Sequence, residues 1–282
     1  MMRRITKRSA VVAAGVALAA GLTPLAVASS PAHHAPTAPK PTVVLVHGAW
    51  SDSSSWGGVI KRLQHDGYTV DAAPLPLRGL ASDSTYVSDY LKTISGPIVL
   101  VGHSYGGSVI TNAARGNTNV KALVYIAAFA PDAGETAGGL SAKFPGSHIT
   151  DDPTAPVPTA LNPVPYTQAD GTTGIDLYLK PDHYRDLFLD SSVSDSDVAA
   201  LAAEQRPITV QALNEPSGAP AWKTIPSWYL VADQDHAIPP AAERFMAQRA
   251  HAHTVEVNAP HVVALTDPGA VSNLVEQAAG AH

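Results

Sequence analysis

Cysteine is absent from all 282 residues. Disulfides and thiol chemistry are therefore excluded, and stability must come from packing. Charge is sparse, at 15% of residues, with 18 Lys and Arg against 24 Asp and Glu. The net charge of -6 argues mildly against nucleic acid or anionic membrane surfaces as partners, and there is no basic run outside the extreme N-terminus to reverse that. H-E-x-x-H and comparable ligand spacings are missing, and residues 102–107 depart from both G-x-x-x-x-G-K-[ST] and G-x-G-x-x-G. Neither a metal nor a phosphate-bearing cofactor is expected on those grounds. No internal repeat is apparent.

What is present is a chain with 45% hydrophobic residues, enough to bury a sizeable core in one large domain. Its N-terminus has the form of a targeting segment. Arg3, Arg4, Lys7 and Arg8 precede an uncharged, Ala-rich stretch from Ser9 to Ala28, and Ala26-Val27-Ala28 has the small-x-small form of a signal peptidase site. The reading is a signal peptide over residues 1–28, cleaved after Ala28, with no stable membrane insertion afterwards and a secreted or extracytoplasmic product. The apolar part is barely long enough to span a bilayer. Arg3-Arg4 weakly suggests twin-arginine export, and the ordinary secretory route is equally open. Residues 29–41 read as a Pro/Ala-rich linker in which His33 and His34 are solvated.

From residue 42 strands and helices alternate. Apolar, β-branched runs at Thr42–Val46, Tyr68–Ala72, Pro97–Val101, Val120–Ala130, Pro226–Ala232 and His253–Val257 predict strands. Helical spacing or caps predict helices at Trp56–His65, Ser84–Ile94, Ser108–Arg115, Pro239–Ala250 and from Asp267 to about Ala279. This rhythm implies an α/β fold with a doubly wound, mostly parallel sheet. It breaks between about 133 and 223, where Pro, Gly, Asp and Ser crowd around helical patches near Asp182–Leu189 and Asp195–Gln205. A structureless loop of that length is unexpected in a compact domain, so this stretch reads as an inserted cap with short helices. The domain is then 42–282, and a monomer is the default.

Between the third strand and the helix after it lies Gly102-His103-Ser104-Tyr105-Gly106-Gly107. A G-x-S-x-G at such a junction is a nucleophile elbow, a turn so tight that small residues must flank the serine. A serine hydroxyl is a poor nucleophile at neutral pH and needs a base, itself oriented by an acid. In doubly wound sheets ligands gather beyond the carboxyl ends of strands. Two loops there qualify, one carrying Asp233 and Asp235 and the other carrying His261.

The chain resembles the α/β-hydrolase superfamily, in particular its small esterase-like branch. The matching stretches are Val43–Ala49, Gly102–Gly107, Asp233–Pro239 and His261, and together they cover essentially the whole mature chain except the cap. The order Ser104, Asp235, His261 is the family's order of nucleophile, acid and base. The resemblance implies that Asp235 orients the imidazole and that His261 serves as general base, then general acid. It also implies an oxyanion hole from the backbone N–H groups of Ala49 and Tyr105, with the neighbouring Trp50 as the alternative to Ala49. Asp233 is weighed against Asp235 and read as a solvated or turn carboxylate; Asp132 occupies a position that some relatives use for the acid. His236 competes with His261 for the base. His47 is read as a support of the oxyanion loop, His103 as packed under the elbow, and His65, His148, His183, His251 and His253 as surface or cap residues. Among Trp50, Tyr166, Tyr178, Tyr184, Phe188 and Trp222, about half are expected to line an acyl or alcohol pocket.

The function so implied is a serine carboxylesterase acting on a fairly apolar small-molecule ester. Lactone or amide hydrolysis and cofactor-free perhydrolysis use the same triad. Cyanohydrin-cleaving relatives carry a lysine directly after the catalytic histidine; this chain has Val262. A binding protein without turnover is the remaining alternative, and such proteins often lose a triad member.

Overall fold

The structure, a computed structural model, describes Ala10, residues 12–15 and residues 40–281. Most of the expected signal segment, its cleavage site and nearly all of the linker lie outside the described residues. Among the described residues nine strands follow in chain order: β1 (Thr42–Val46), β2 (Val70–Ala73), β3 (Ile98–Ser104), β4 (Val120–Ala128), β5 (Leu161–Thr167), β6 (Thr173–Leu179), β7 (Ile208–Thr209), β8 (Ser227–Ala232) and β9 (His253–Val257).

Six of them form one sheet in the order β2-β1-β3-β4-β8-β9, with each neighbouring pair parallel. Parallel strands need crossovers, and helices on both faces provide them. The alternation along β1 and β3 shows why these runs are apolar throughout. Val44, Val46, Ile98 and Leu100 enter one core, while Val43, Leu45, Val99 and Val101 enter the other, beneath the helices Gly57–His65 and Pro268–Gly280. A strand with both faces buried has no position for a charge.

The central β3 places the expected nucleophile at its carboxyl end, where the helix Tyr105–Ala113 begins. Loops after β1, β8 and β9 reach the same end of the sheet, so the topology gathers residues far apart in sequence.

The described residues from Lys40 to Ala281 form one compact unit, and the segment between β4 and β8 is built into it. Its helices Pro181–Phe188 and Asp195–Glu204 coincide with the two helical patches read from sequence. It also holds a three-stranded antiparallel sheet, β5-β6-β7, which the expectation of short helices did not contain. Pro163 and Pro165 conceal it, because proline is out of place in a central strand; β5 is an edge, where a missing N–H costs nothing. The helix before β3 begins at Leu80, earlier than the expected Ser84, and the elbow helix begins at Tyr105, three residues before Ser108. No helix among the described residues is long and apolar enough to cross a membrane.

Candidate active site

Ser104 adopts φ 53° and ψ −125°, a region that a residue with a Cβ rarely enters. Such strain costs on the order of 1–3 kcal/mol and persists only where the surroundings enforce it. They do so here by close approach. A Cβ on Gly106 would lie 2.5 Å from the Val46 carbonyl oxygen, one on Gly107 2.3 Å from that of Phe129, and one on Gly102 2.7 Å from the Gly106 backbone. The elbow helix is packed this tightly against its own strand and two neighbours. Tyr105 anchors it further, since its hydroxyl donates to buried Asp83 at 2.9 Å. Burial raises the Asp83 carboxyl above its usual range, against the pull of that hydrogen bond.

His261, in the loop after β9, is buried, and its Nδ1 lies 2.5 Å from Asp235 Oδ2. The other Asp235 oxygen accepts the N–H groups of Ala237 and Ile238, both at 2.7 Å. Three donors thus fix the carboxylate in place, and it holds one edge of the imidazole so that Nε2 is left for other work. Ser104 and His261 line one cavity together with Ala49, Trp50 and Tyr105.

The competing residues are engaged elsewhere. Asp233 binds Arg244, which also pairs with Glu256. Asp132 accepts from Lys223 Nζ at 2.6 Å. His236 points its Nδ1 at the Asp186 carbonyl, 2.9 Å away. His47 has both nitrogens committed: Nδ1 lies 2.8 Å from the Gly48 carbonyl and must donate, because Nε2 accepts the Leu75 N–H at 2.9 Å. Burial lowers its basicity, which agrees with a neutral ring bracing the loop after β1. His103 sits beneath the elbow, its ring 4.7 Å from that of His261 and its Nε2 bonded to the His261 carbonyl at 3.0 Å. Burial, and after it the proximity of His261, hold His103 well below the usual imidazole range.

For the oxyanion donors the loop after β1 is decisive. Trp50 has φ 54°, and its N–H is spent on the Arg206 carbonyl at 3.0 Å. It is therefore occupied, whereas Ala49, its neighbour, lines the cavity beside Ser104. Tyr105 is the first residue of its helix, where a main-chain N–H has no acceptor within the helix. Gly48 is required by contact: a Cβ there would stand 2.6 Å from Ser104 Cβ.

The cavity has a volume of about 510 Å³ and a largely apolar wall. Of the six aromatic residues of which about half were expected there, Trp50 alone is in the wall. Tyr184 and Phe188 stand behind it, the former donating its hydroxyl to the Trp50 carbonyl at 3.0 Å. Trp222 bonds the Pro131 carbonyl at 3.0 Å, and Tyr166 lies against Arg78. The wall comes instead from Phe129, Phe144, Ile149, Leu177, Leu213 and Ile238. Their sequence signal was weak because no local periodicity marks a residue as lining a cavity.

Glu243 is a further buried residue that sequence reading did not single out. One oxygen accepts the Ala232 N–H at 3.1 Å. Burial first, and then the neighbouring Asp235 charge, drive its carboxyl well above the usual range, beside the carboxylate that meets His261.

Residues 43–274 match the model of the alpha/beta hydrolase family, and the chain belongs to that family. It is 26% identical over 266 residues to the alpha/beta hydrolase nvfD of Aspergillus novofumigatus, covering 86% of this chain and 97% of that protein. A carbendazim hydrolyzing esterase of Nocardioides sp. is 33% identical over 114 residues, 36% of this chain and 47% of that one. Among solved structures, polyneuridine aldehyde esterase superimposes with a TM-score of 0.70 at 19% identity, covering 84% of this chain and 98% of its own.

Proposed function

We propose that this chain cleaves carboxylic esters through an acyl-enzyme on Ser104, with His261 as base and Asp235 as its orienting acid. The observation that carries the reading is the His261–Asp235 contact at 2.5 Å, in a cavity also lined by the strained Ser104. His261 Nε2 takes the hydroxyl proton as Oγ attacks the ester carbonyl, then returns it to the leaving alkoxide. Water repeats the cycle on the acyl-enzyme. The Ala49 and Tyr105 N–H groups receive the negative charge on the carbonyl oxygen, and Asp235 stabilises the imidazolium.

Membership of the alpha/beta hydrolase family and the esterases among its likenesses support action on esters. The apolar wall favours a medium-sized, fairly apolar substrate. Val262 is buried, and its N–H is bonded to the Phe188 carbonyl at 3.1 Å, so the position that is lysine in cyanohydrin-cleaving relatives offers no cation here.

The test is labelling by a fluorophosphonate together with burst kinetics on an activated ester. Wild-type protein is expected to label and to show a burst, and Ser104→Ala to do neither. Turnover retained in Ser104→Ala overturns the mechanism. The proposed cellular setting is outside the cytoplasm, after cleavage behind Ala28; an N-terminus of secreted protein well before Ser29 contradicts it.

A further inference from the structure

His148, Asp186 and His236 come from three separate segments and serve no role in the proposed chemistry. His148 lies in the cap beyond the helix Ala137–Ser141, Asp186 on the cap helix Pro181–Phe188, and His236 in the loop after β8, next to Asp235. One ligand atom from each lies within 4.8 Å of the others. His148 Nδ1 is 2.8 Å from Asp186 Oδ2, and His236 Nδ1 is 3.3 Å from Asp186 Oδ1 and 2.9 Å from the Asp186 carbonyl oxygen, a hydrogen bond that an ion on this nitrogen replaces as it displaces the proton. The imidazole rings face one another at 4.0 Å between centroids and 30° between planes. The His148 N–H also donates to the His236 carbonyl at 2.8 Å, which fixes the two backbones in register.

We propose that these three residues bind a divalent transition-metal ion of the zinc type, which ties the cap to the loop bearing Asp235. Two imidazole nitrogens and one carboxylate form a donor set that suits zinc and its neighbours and is poor for calcium or magnesium, which demand oxygen. A four-coordinate ion with bonds of about 2.0–2.1 Å separates its ligand atoms by roughly 3.3 Å. The His236 Nδ1–Asp186 Oδ1 separation of 3.3 Å meets that span; the His148 Nδ1–Asp186 Oδ2 one of 2.8 Å must open, and because the two histidines face different oxygens the carboxylate meets the ion through both or turns to present one. All three side chains are partly exposed, leaving solvent access for an ion to enter and for water to complete the coordination. Without an ion, Asp186 lies against both imidazoles. Burial raises its carboxyl, but the bonds and charges of the two histidines outweigh that and hold it below the usual range.

The ion does not touch the reacting atoms in this arrangement. Its effect is to cross-link: the cap helix carrying Asp186 also carries Phe188, and the loop carrying His236 also carries the acid. Cap and triad loop are then held together by coordination bonds in place of hydrogen bonds.

The experiment uses the full chain, stripped with a chelator, dialysed and titrated with zinc chloride, read by calorimetry and by melting. One ion per chain is expected, with a rise in melting temperature of about 5 °C at a hundredfold excess over the dissociation constant. Asp186→Asn and His148→Gln are each expected to weaken binding at least tenfold, while His33→Gln/His34→Gln leaves it unchanged. Cobalt(II) in the unaltered protein gives an independent reading, with the intense visible bands of four-coordinate nitrogen and oxygen ligation expected. No binding to the wild type, loss of binding on changing His33 and His34, or affinity unchanged in Asp186→Asn and His148→Gln each overturns the proposal. None of these readouts depends on esterase turnover.

Discussion

The Phe188 ring packs on the imidazole of His261, with centroids 5.0 Å apart and planes inclined by 37°. One ring belongs to the cap and the other to the proposed base. Phe188 also meets Trp50 and Tyr184, and its carbonyl accepts the Val262 N–H. The base is therefore confined by His103 below, Phe188 at the side and Asp235 at Nδ1, which leaves the ring little freedom to turn.

Truncating Phe188 to Ala should loosen that confinement. The side chain is fully buried, so about 3–5 kcal/mol of stability is expected to be lost. Turnover should fall by about tenfold with KM little changed, because the imidazole samples unproductive orientations. Phe188→Leu should recover most of both. Melting curves and steady-state kinetics on the pair are the check, and an undiminished kcat in Phe188→Ala contradicts the packing role.

Asp235→Asn is expected to cost about 10⁴-fold in kcat. Asp235 Oδ1 already accepts two N–H groups, so the new amide nitrogen must face His261 Nδ1. It then donates where the carboxylate accepted, which puts the imidazole proton on Nε2, where the base must be bare. Asp233→Asn breaks only an exposed pair with Arg244, and its kcat should stay within twofold of the wild type. Equal losses in the two variants would misassign the acid.

Gly48→Ala brings a methyl group to 2.6 Å from Ser104 Cβ and 3.2 Å from its Oγ. The serine or the oxyanion loop must move, and a displacement of the order of 1 Å at a reacting atom costs about 10²-fold in rate. Fluorophosphonate labelling should slow in proportion to ester turnover. If both rates are unchanged, the close approach is not required.

Stability should decline at both ends of the pH scale. An unfolded His103 takes up a proton near its ordinary 6.5, while the folded one, buried and depressed, does not. Its contribution is present above that value and is lost as the pH falls below it. Glu243 acts at the other end: the unfolded carboxyl releases its proton near 4.5, whereas the folded one keeps it, so stability declines as the pH rises from there toward the elevated folded value. Glu243→Gln, always neutral, should flatten the upper limb in denaturant titrations across pH, and His103→Gln the lower. Slopes identical to the wild type in both would refute these assignments.

The sheet was legible because buried parallel strands carry unbroken apolar runs. Thr42–Val46 and His253–Val257 were read to the residue. The expected serine, acid and base come to one end of the sheet because each follows a strand, and strand ends can be located by pattern. The cavity wall could not be read that way. Phe129, Ile149 and Leu213 converge through the path of the cap, and nothing local in the sequence encodes that path. The β5–β6 hairpin was hidden by its own prolines, although Asp170-Gly171 marks its turn. The His148–Asp186–His236 group was invisible for a related reason, since ligands drawn from three segments leave no spacing to find.

Trp50 is held by the cap at three points: its N–H by Arg206, its indole Nε1 by the Leu177 carbonyl at 2.8 Å, and its carbonyl by Tyr184. It is also the immediate neighbour of Ala49. A cap exchanged between homologues, or reshaped by selection for a new substrate, would pull on the strand-end loop proposed to polarise the scissile carbonyl. Substrate range and catalytic power are in that sense inherited together in this protein, and chimeras that graft a foreign cap onto this sheet need to carry matching partners for Trp50.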